Sequence, residues 1–201
     1  TMEVLIRKPR KEEEYHEKIK FCIVEVDRLN LMVDQLLLLA RFENQKQNIK
    51  QESIYLNALI LDNLTRFSAK SESKKLKINT QFAEDFYIQS DNYLVSIIIS
   101  NLISNAIKYS NSYGVIDIVL TKDFNEIIFS ISDNGVGISD QDLSKIFSSF
   151  YRSDVSSHPE IKGTGLGLSI VKRLCDLLKI KILVESELNK KTKFSLLFII
   201  S

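Results

Sequence analysis

The sequence is short of the residues that mark disulfide frameworks, metal sites and membrane spans. It has two cysteines, two histidines, two prolines and no tryptophan. Cys22 and Cys175 each lie inside an apolar helical pattern, so we interpret them as reduced core residues of a cytoplasmic protein, with no support for a disulfide or a metal site. No apolar run has the length needed to cross a bilayer, and no signal peptide is visible. The chain is predicted to be soluble, and membrane anchoring of a longer parent protein stays open.

An excess of charge of either sign is also lacking. The 27 basic and 26 acidic residues leave a formal net charge of +1, and their interleaving argues against nucleic acid as the main partner. The 201 residues suit one large domain, or a medium domain with an appendage, and a hydrophobic fraction of 44% is enough for a core.

Glycine is scarce but clustered. Of six glycines, five fall in two short segments, which contain Gly135 and Gly137, then Gly163, Gly165 and Gly167. Glycine is needed where the backbone adopts a positive φ or where another group approaches it closely. Clustering in a glycine-poor chain therefore predicts a ligand that lies against the main chain.

Residues 11 to about 46 are predicted to form one long helix. Its apolar residues recur at spacings of three and four, which is typical of a helical bundle. The stripe consists of Ile19, Ile23, Val26, Leu29, Val33, Leu36 and Ala40. Residues 1–7 look like the last turns of a preceding helix, and Pro9 marks the turn between the two. We predict two domains: residues 1–48, the later part of a helical hairpin whose first helix is mostly missing, and residues 49–201.

The second domain mixes helical and strand patterns. A strong helix at 91–109 has Asp91 as its N-cap. The other predicted elements are helices at 55–69, 140–147 and from the last glycine cluster to 178, and strands at 76–82, 86–90, 114–120, 126–132, 180–186 and 192–200. This order predicts an α+β fold, a two-layer α/β sandwich.

The helix at 91–109 carries a polar stripe. At 100° per residue, Asn101, Asn105 and Lys108 fall within about 60° of one another, opposite Ile103 and Ala106. Amide oxygens can bind a hard cation such as Mg²⁺, and a lysine can meet a phosphate. Taken alone, the stripe is better explained as a solvated polar face.

Two loop motifs follow. In SDNGVGIS (132–139), Asp133 ends a strand and could accept hydrogen bonds from a base amine, with Gly135 and Gly137 letting the backbone pass close to a ring; by itself the motif is most often a turn. GTGLGL (163–168) opens a helix, whose N–H groups can hold an anion. It is neither a P-loop nor a dinucleotide fingerprint, because the spacing is different and no βαβ unit surrounds it.

The order of the motifs is more specific than any one of them. NLISNAIKYS (101–110), DNGVGI (133–138), IFSSFYR (146–152) and GTGLGL (163–168) resemble the N, G1, F and G2 boxes of sensor histidine kinases, within the wider gyrase, chaperone and mismatch-repair ATPase superfamily. Residues 28–44 resemble the second helix of the kinase dimerisation domain. The resemblance implies a Bergerat-type ATP-binding domain, preceded by the remnant of a four-helix-bundle hairpin.

The resemblance also implies a Mg-ATP site. Asn105 would hold Mg²⁺, Asn101 and Lys108 would support the phosphates, Tyr109 would line the adenine side, and Asp133 would receive the adenine amino group. Phe147 and Phe150 would anchor a lid between residues 138 and 165, with Tyr151 and Arg152 near the nucleotide. The glycines at 163, 165 and 167 would present N–H groups to the phosphates. The remaining expected contacts are Ile138, Lys162, Thr164, Leu166 and Leu168.

The acceptor histidine of the family is missing. His158 is interpreted as a solvated loop residue and His16 as an exposed helical residue, since neither stands in the family's H-E-x-[RK]-[TS]-P box. We expect the acceptor about a dozen residues before Thr1, roughly three helical turns upstream, in a protein from which this chain was trimmed. The implied partners are a second copy, through the N-terminal helix, and the receiver domain of a response regulator.

Two alternatives stay open. The first is a non-catalytic nucleotide-binding interaction module of the same superfamily; the second, an ATPase of DNA topology or chaperoning, is disfavoured by the short neutral chain. The last hairpin departs from the family because it lacks the usual glycines, although Asn189 can take the left-handed turn conformation.

Overall fold

The structure is a computed structural model that describes residues 12–44, 49–153 and 163–199. The expected helix end at residues 1–7, Pro9, His158 and Lys162 lie outside the described residues. The chain divides into two compact units between residues 45 and 46.

The first unit contains the predicted long helix. Helix α1 spans Glu12–Asn44, 33 residues, with three glutamates in its first turn. Acidic side chains at this position stabilise a helix through its dipole. Five residues of its apolar stripe are about half exposed, Ile19, Ile23, Val26, Leu29 and Val33, and so is the neighbouring Leu37. Such a stripe is what a bundle helix presents to a partner.

The second unit is a two-layer α/β sandwich, as predicted. In chain order it contains β1 (Glu52–Tyr55), α2 (Leu56–Arg66), α3 (Ser68–Ser73), β2 (Lys77–Phe82), β3 (Tyr87–Ser90), α4 (Asn92–Tyr109), β4 (Val115–Asp123), β5 (Glu126–Asp133), α5 (Asp140–Leu143), α6 (Gly167–Leu178), β6 (Lys181–Glu187) and β7 (Lys191–Ile199). Five strands form one sheet in the order β2-β4-β5-β7-β6, parallel only between β2 and β4, and β1 pairs with β3 in a small second sheet.

The core lies between the large sheet and its helices. Helix α4 packs on α2, α6 and β5; its N-cap is Asp91, whose Oδ1 accepts a hydrogen bond from the Leu94 N–H at 3.1 Å. Along β5 every second residue is buried, ending with Phe129, Ile131 and Asp133. Because side chains alternate across a strand, the carboxylate of Asp133 continues the buried face of β5.

Some predicted boundaries were wrong. Instead of one helix at 55–69, the chain forms β1, then α2, and a break at Phe67 before α3; four residues are too few to display strand alternation. The predicted helix at 140–147 is helical only over α5. Asn189 does adopt the left-handed conformation, with φ of 60°, so this tight turn forms without glycine.

Candidate nucleotide-binding site

The polar stripe of α4 lies at the edge of the core. Asn101, Asn105 and Lys108 are half-buried, whereas Ile103 and Ala106 on the other side are buried. The Asn101 amide nitrogen donates to the Ile97 carbonyl at 2.9 Å, and the amide oxygen lies near Gly167. The helical period thus separates a packing face from a face that can contact a ligand.

A pocket of about 80 Å³ opens beside this stripe. The sequence-predicted residues that line it are Asn105, Tyr109, Asp133, Gly137, Ile138, Tyr151, Arg152 and Leu168. Lining residues that the sequence did not indicate are Ala106, Val136, Ile146, Ser153, Thr192 and Phe194. All four motifs therefore contribute residues to one mixed polar and apolar cavity, the last of them through Leu168 in the first turn of α6.

Asp133 is the buried charge of this pocket. Its side chain is 6% exposed, and its Oδ1 accepts a hydrogen bond from the Gly135 N–H at 3.0 Å. Burial raises the pKa of this carboxyl to about 6, while the Gly135 N–H and the positive charge of Lys74 oppose the rise. A buried carboxylate that faces a cavity is suited to accept hydrogen bonds from an amine donor.

The glycines after Asp133 are required by the protein's own backbone. A Cβ on Gly135 would overlap the Tyr109 carbonyl, and one on Gly137, whose φ is +66°, would overlap the Glu187 carbonyl. The Val136 N–H donates to the Tyr109 carbonyl at 3.2 Å. These contacts hold the loop against the end of α4 and the end of β6. The close approach to the backbone that we expected of a ligand is made here by other parts of the chain.

Tyr109 forms the wall next to Lys108. The Lys108 ammonium lies 4.7 Å from the centre of the Tyr109 ring, and its Nζ is 3.3 Å from the phenol oxygen. Burial raises the pKa of Tyr109, and the charge of Arg152 opposes this rise. The phenol therefore stays neutral near pH 7 and can act as a donor or an acceptor.

The segment after α5 closes another side of the pocket. The Tyr151 hydroxyl donates to Asp142 Oδ1 of α5 at 2.6 Å, a bond that raises the pKa of the phenol. Phe147 is half-buried and Phe150 is 60% exposed with φ of 64°, a conformation that is strained for an aromatic residue. Neither phenylalanine lines the pocket.

The last glycine cluster crosses the polar stripe of α4. A Cβ on Gly163 would overlap the Lys108 ammonium, and one on Gly167 would lie 2.8 Å from Asn101 Oδ1. Gly165 has φ of +75°, and its carbonyl accepts a hydrogen bond from the Phe150 N–H at 2.9 Å. This bond joins the two ends of the segment between residues 150 and 165.

Helix α6 begins directly after this crossing. The Leu166 N–H donates to Thr164 Oγ1 at 3.2 Å, and the N-cap residue Leu166 offers no side-chain acceptor to the first turn. N–H groups at such an uncapped helix start can meet an anion. Within the described residues, no group of three or more His, Cys, Asp or Glu side chains could hold a metal ion.

Thr192 and Phe194 are the most informative lining residues that the sequence missed. In the register of β5 and β7, Thr192 is the partner of Asp133 and Phe194 the partner of Ile131. Thr192 Oγ1 lies 3.0 Å from Ser186 Oγ, which accepts a hydrogen bond from the Ile138 N–H at 2.9 Å. Strand alternation could have placed both on one face, but only the pairing of β5 with β7 brings that face to the pocket.

Comparison with known proteins identifies the fold and the family. The model described as histidine kinase-, DNA gyrase B- and HSP90-like ATPase matches residues 90–200. The sensor protein RprX of Bacteroides fragilis is 36% identical over 175 residues, which cover 85% of this chain and 33% of RprX. The structure of the Acinetobacter baumannii histidine kinase AdeS superposes with a TM-score of 0.79 at 24% identity, covering 100% of this chain and 90% of that one. Histidine kinase ThkA, in complex with the response regulator protein TrrA, has a TM-score of 0.74 at 19% identity, covering 100% of this chain and 55% of ThkA.

The chain spans about a third of the length of RprX. No helix among residues 12–44, 49–153 and 163–199 has the length and apolar character that a membrane span requires. The two structural matches establish the shared fold, and the family model covers more than half of the chain. The chain therefore belongs to the histidine kinase-, DNA gyrase B- and HSP90-like ATPase family and contains the ATP-binding catalytic domain of a sensor histidine kinase.

Proposed function

We propose that this chain holds Mg-ATP in the pocket between α4, the loop after β5 and the start of α6, and positions it for phosphoryl transfer to a histidine and then to the aspartate of a response regulator. The observation that carries the proposal is the buried carboxylate of Asp133, which shares one cavity with Asn105 and Tyr109. Phosphoryl transfer needs positioning and charge neutralisation more than covalent chemistry from the protein.

The adenine binds at the Asp133 end of the pocket. The carboxylate accepts a hydrogen bond from the adenine amino group, and Thr192 adds a hydroxyl beside it. Ala106, Val136 and Ile146 give this end apolar walls, which suit the faces of a purine ring. An isolated buried carboxylate is costly, so a bound amine donor relieves part of that cost.

The phosphates bind along the polar stripe of α4. The Asn105 amide oxygen would hold Mg²⁺, with Asn101 and Lys108 toward the phosphates and the N–H groups of the last glycine cluster opposite them. Mg²⁺ supplies charge neutralisation on the phosphate oxygens. Arg152 lines the same pocket and adds a positive charge.

Residues 1–48 are assigned to dimerisation and residues 49–201 to catalysis. The exposed apolar stripe of α1 would be covered by a second copy of the chain, since a contiguous apolar face is poorly tolerated in water. His16 is exposed on α1, but its surroundings in the sequence do not match the family's acceptor box, so the chain alone would not phosphorylate itself. The receiver domain of a response regulator is the proposed second partner, and the proposed compartment is the cytoplasm.

Calorimetric titration of the 201-residue chain with ATP, with and without Mg²⁺, tests the proposal. We expect binding that Asp133→Asn abolishes and that Asn105→Ala makes insensitive to Mg²⁺. Asp123→Asn, which changes an exposed carboxylate at the end of β4, should bind as the wild type does. Well-folded protein that gives no heat with any adenine nucleotide would contradict the proposal, and acid-labile label on His16 from γ-labelled ATP would contradict the assignment of the acceptor.

A further inference from the structure

The last turn of α4 has an unusually complete set of hydrogen-bond partners. The final carbonyls of a helix lack partners within the helix. Here the Ala106 carbonyl accepts two hydrogen bonds from Ser110, one from its N–H at 3.0 Å and one from its hydroxyl at 2.6 Å. The Tyr109 carbonyl accepts a hydrogen bond from the Val136 N–H. The carbonyls between them, of Ile107 and Lys108, need a donor from elsewhere in the chain.

That donor is Lys74, the C-cap residue of α3. Its Nζ lies 3.0 Å from the Ile107 oxygen, 2.8 Å from the Lys108 oxygen and 2.9 Å from the Ser110 oxygen. An ammonium has three donor hydrogens, and a cation is favoured at the negative end of a helix. The Lys74 carbonyl also accepts a hydrogen bond from the Tyr113 N–H at 2.9 Å. The side chain of Lys74 therefore binds the end of α4, and its backbone binds the loop that follows α4.

The same ammonium acts on Asp133. The partners of Asp133 across the sheet are Ile116 of β4 and Thr192 of β7, and neither titrates. The titratable groups among the lining residues are Tyr109, Tyr151 and Arg152. The positive charge that lowers the pKa of Asp133 is that of Lys74, which therefore favours the ionised carboxylate in spite of its burial.

We propose that Lys74 is a positioning residue of the nucleotide site: its ammonium fixes the last turn of α4, which carries Lys108 and Tyr109 and holds the loop after β5. This inference rests on the proposed function of the pocket. Lys74 does not line the pocket, so it acts through α4 and Asp133 rather than by contact with the ligand. A lysine that had only a structural role would affect stability without changing the ionisation of Asp133.

The test compares four proteins: wild type, Lys74→Met, Lys74→Arg and the matched control Lys75→Met. Lys75 is the adjacent exposed lysine, and its Nζ contacts the exposed Tyr113 hydroxyl at 2.9 Å instead of α4. The first readout is the pH titration of the Asp133 carboxyl carbon by NMR without nucleotide, assigned by its loss in Asp133→Asn. The second is the calorimetric affinity for ADP between pH 5 and pH 8.

In Lys74→Met we expect the midpoint of Asp133 to rise by roughly one pH unit, because a nearby opposite charge is lost. ADP affinity at pH 6.5 should fall by about threefold from this titration alone, and further from the loosened turn. Lys74→Arg should retain the midpoint, and Lys75→Met should match the wild type in both readouts. If Lys74→Met does not fold, Lys74→Gln, which keeps hydrogen-bond donors without the charge, should show the same rise.

An unchanged Asp133 midpoint in Lys74→Met or Lys74→Gln would overturn the inference. So would an equal rise in Lys75→Met, since the effect would then be one of general charge. If the wild type binds no adenine nucleotide, the proposed function fails, while the carboxyl titration still reports whether Lys74 controls the ionisation of Asp133.

Discussion

Replacing Asp133 by asparagine should stabilise the protein while abolishing nucleotide binding. The pKa of Asp133 is raised from 3.8 to about 6 by burial. Between these two pH values the folded state binds more protons than the unfolded state, so stability falls as pH rises through this window. With about 1.4 kcal/mol for each pH unit, the raised pKa of Asp133 lowers the free energy of unfolding by about 1.5 kcal/mol at pH 5 and by about 3 kcal/mol at pH 8, relative to low pH where the carboxyl is protonated in both states.

Asparagine has nearly the same shape and keeps an oxygen for the Gly135 N–H, but it carries no charge. In urea unfolding followed by circular dichroism, the free energy of unfolding of Asp133→Asn should therefore exceed that of the wild type. The difference should grow from about 1.5 kcal/mol at pH 5 to about 3 kcal/mol at pH 8. Asp123→Asn, at an exposed position, should stay within about 0.5 kcal/mol of the wild type at both pH values. A gain that is absent, or that does not depend on pH, would refute the claim that Asp133 is buried and ionised at a cost.

Three further measurements test the ionisation of Asp133, the backbone at Gly165 and the apolar stripe of α1. Because an ionised Asp133 is the proposed acceptor, ATP affinity measured by calorimetry should fall by about tenfold for each pH unit below about 6, and a flat profile would contradict this. Gly165→Ala should lower the thermal midpoint and the ATP affinity, because φ of +75° and the Phe150 backbone leave no room for a Cβ, at a cost of about 1–3 kcal/mol. Leu29→Glu together with Val33→Glu, on the exposed stripe of α1, should convert the proposed dimer into a monomer in sedimentation equilibrium without changing the fold of the second unit.

The main elements of the catalytic domain could be predicted because their patterns are long and regular. Eighteen residues of α4 span several turns, so the opposition of Asn105 to Ile103 is evident from helical period alone. The alternation of Ile127, Phe129 and Ile131 likewise gives the buried face of β5, and Asp133 is the next residue on that face. Local patterns of this kind decide which side of an element faces the core.

Features that depend on tertiary pairing could not be predicted in this way. Thr192 reaches the pocket because β7 pairs with β5 rather than only with β6, and Lys74 reaches α4 across the gap from residue 74 to residue 107. A lysine in a charged run, KSESKK, has no local feature that distinguishes it from its exposed neighbour Lys75. The contact of Lys74 with α4 forms because α3 ends beside the last turn of α4. A periodic pattern in the sequence does not report this arrangement.

The two glycine clusters, which look alike in the sequence, serve different physical needs. Gly135 and Gly137 approach the carbonyls of Tyr109 and Glu187. They pack the loop after β5 against the end of β6 and against the end of α4, where Lys74 satisfies the neighbouring carbonyls. The cluster at 163–167 instead approaches side chains of the polar stripe and the backbone of Phe150. The proposed adenine end of the site is therefore built by backbone packing that exists without a ligand, whereas the proposed phosphate end is lined in part by side-chain tips, of Lys108 and Asn101, that a bound anion can reorder. Substitution at Gly135 should accordingly reduce folding stability first, and substitution at Gly163 should reduce nucleotide affinity first, a contrast that unfolding and binding measurements on Gly135→Ala and Gly163→Ala would resolve.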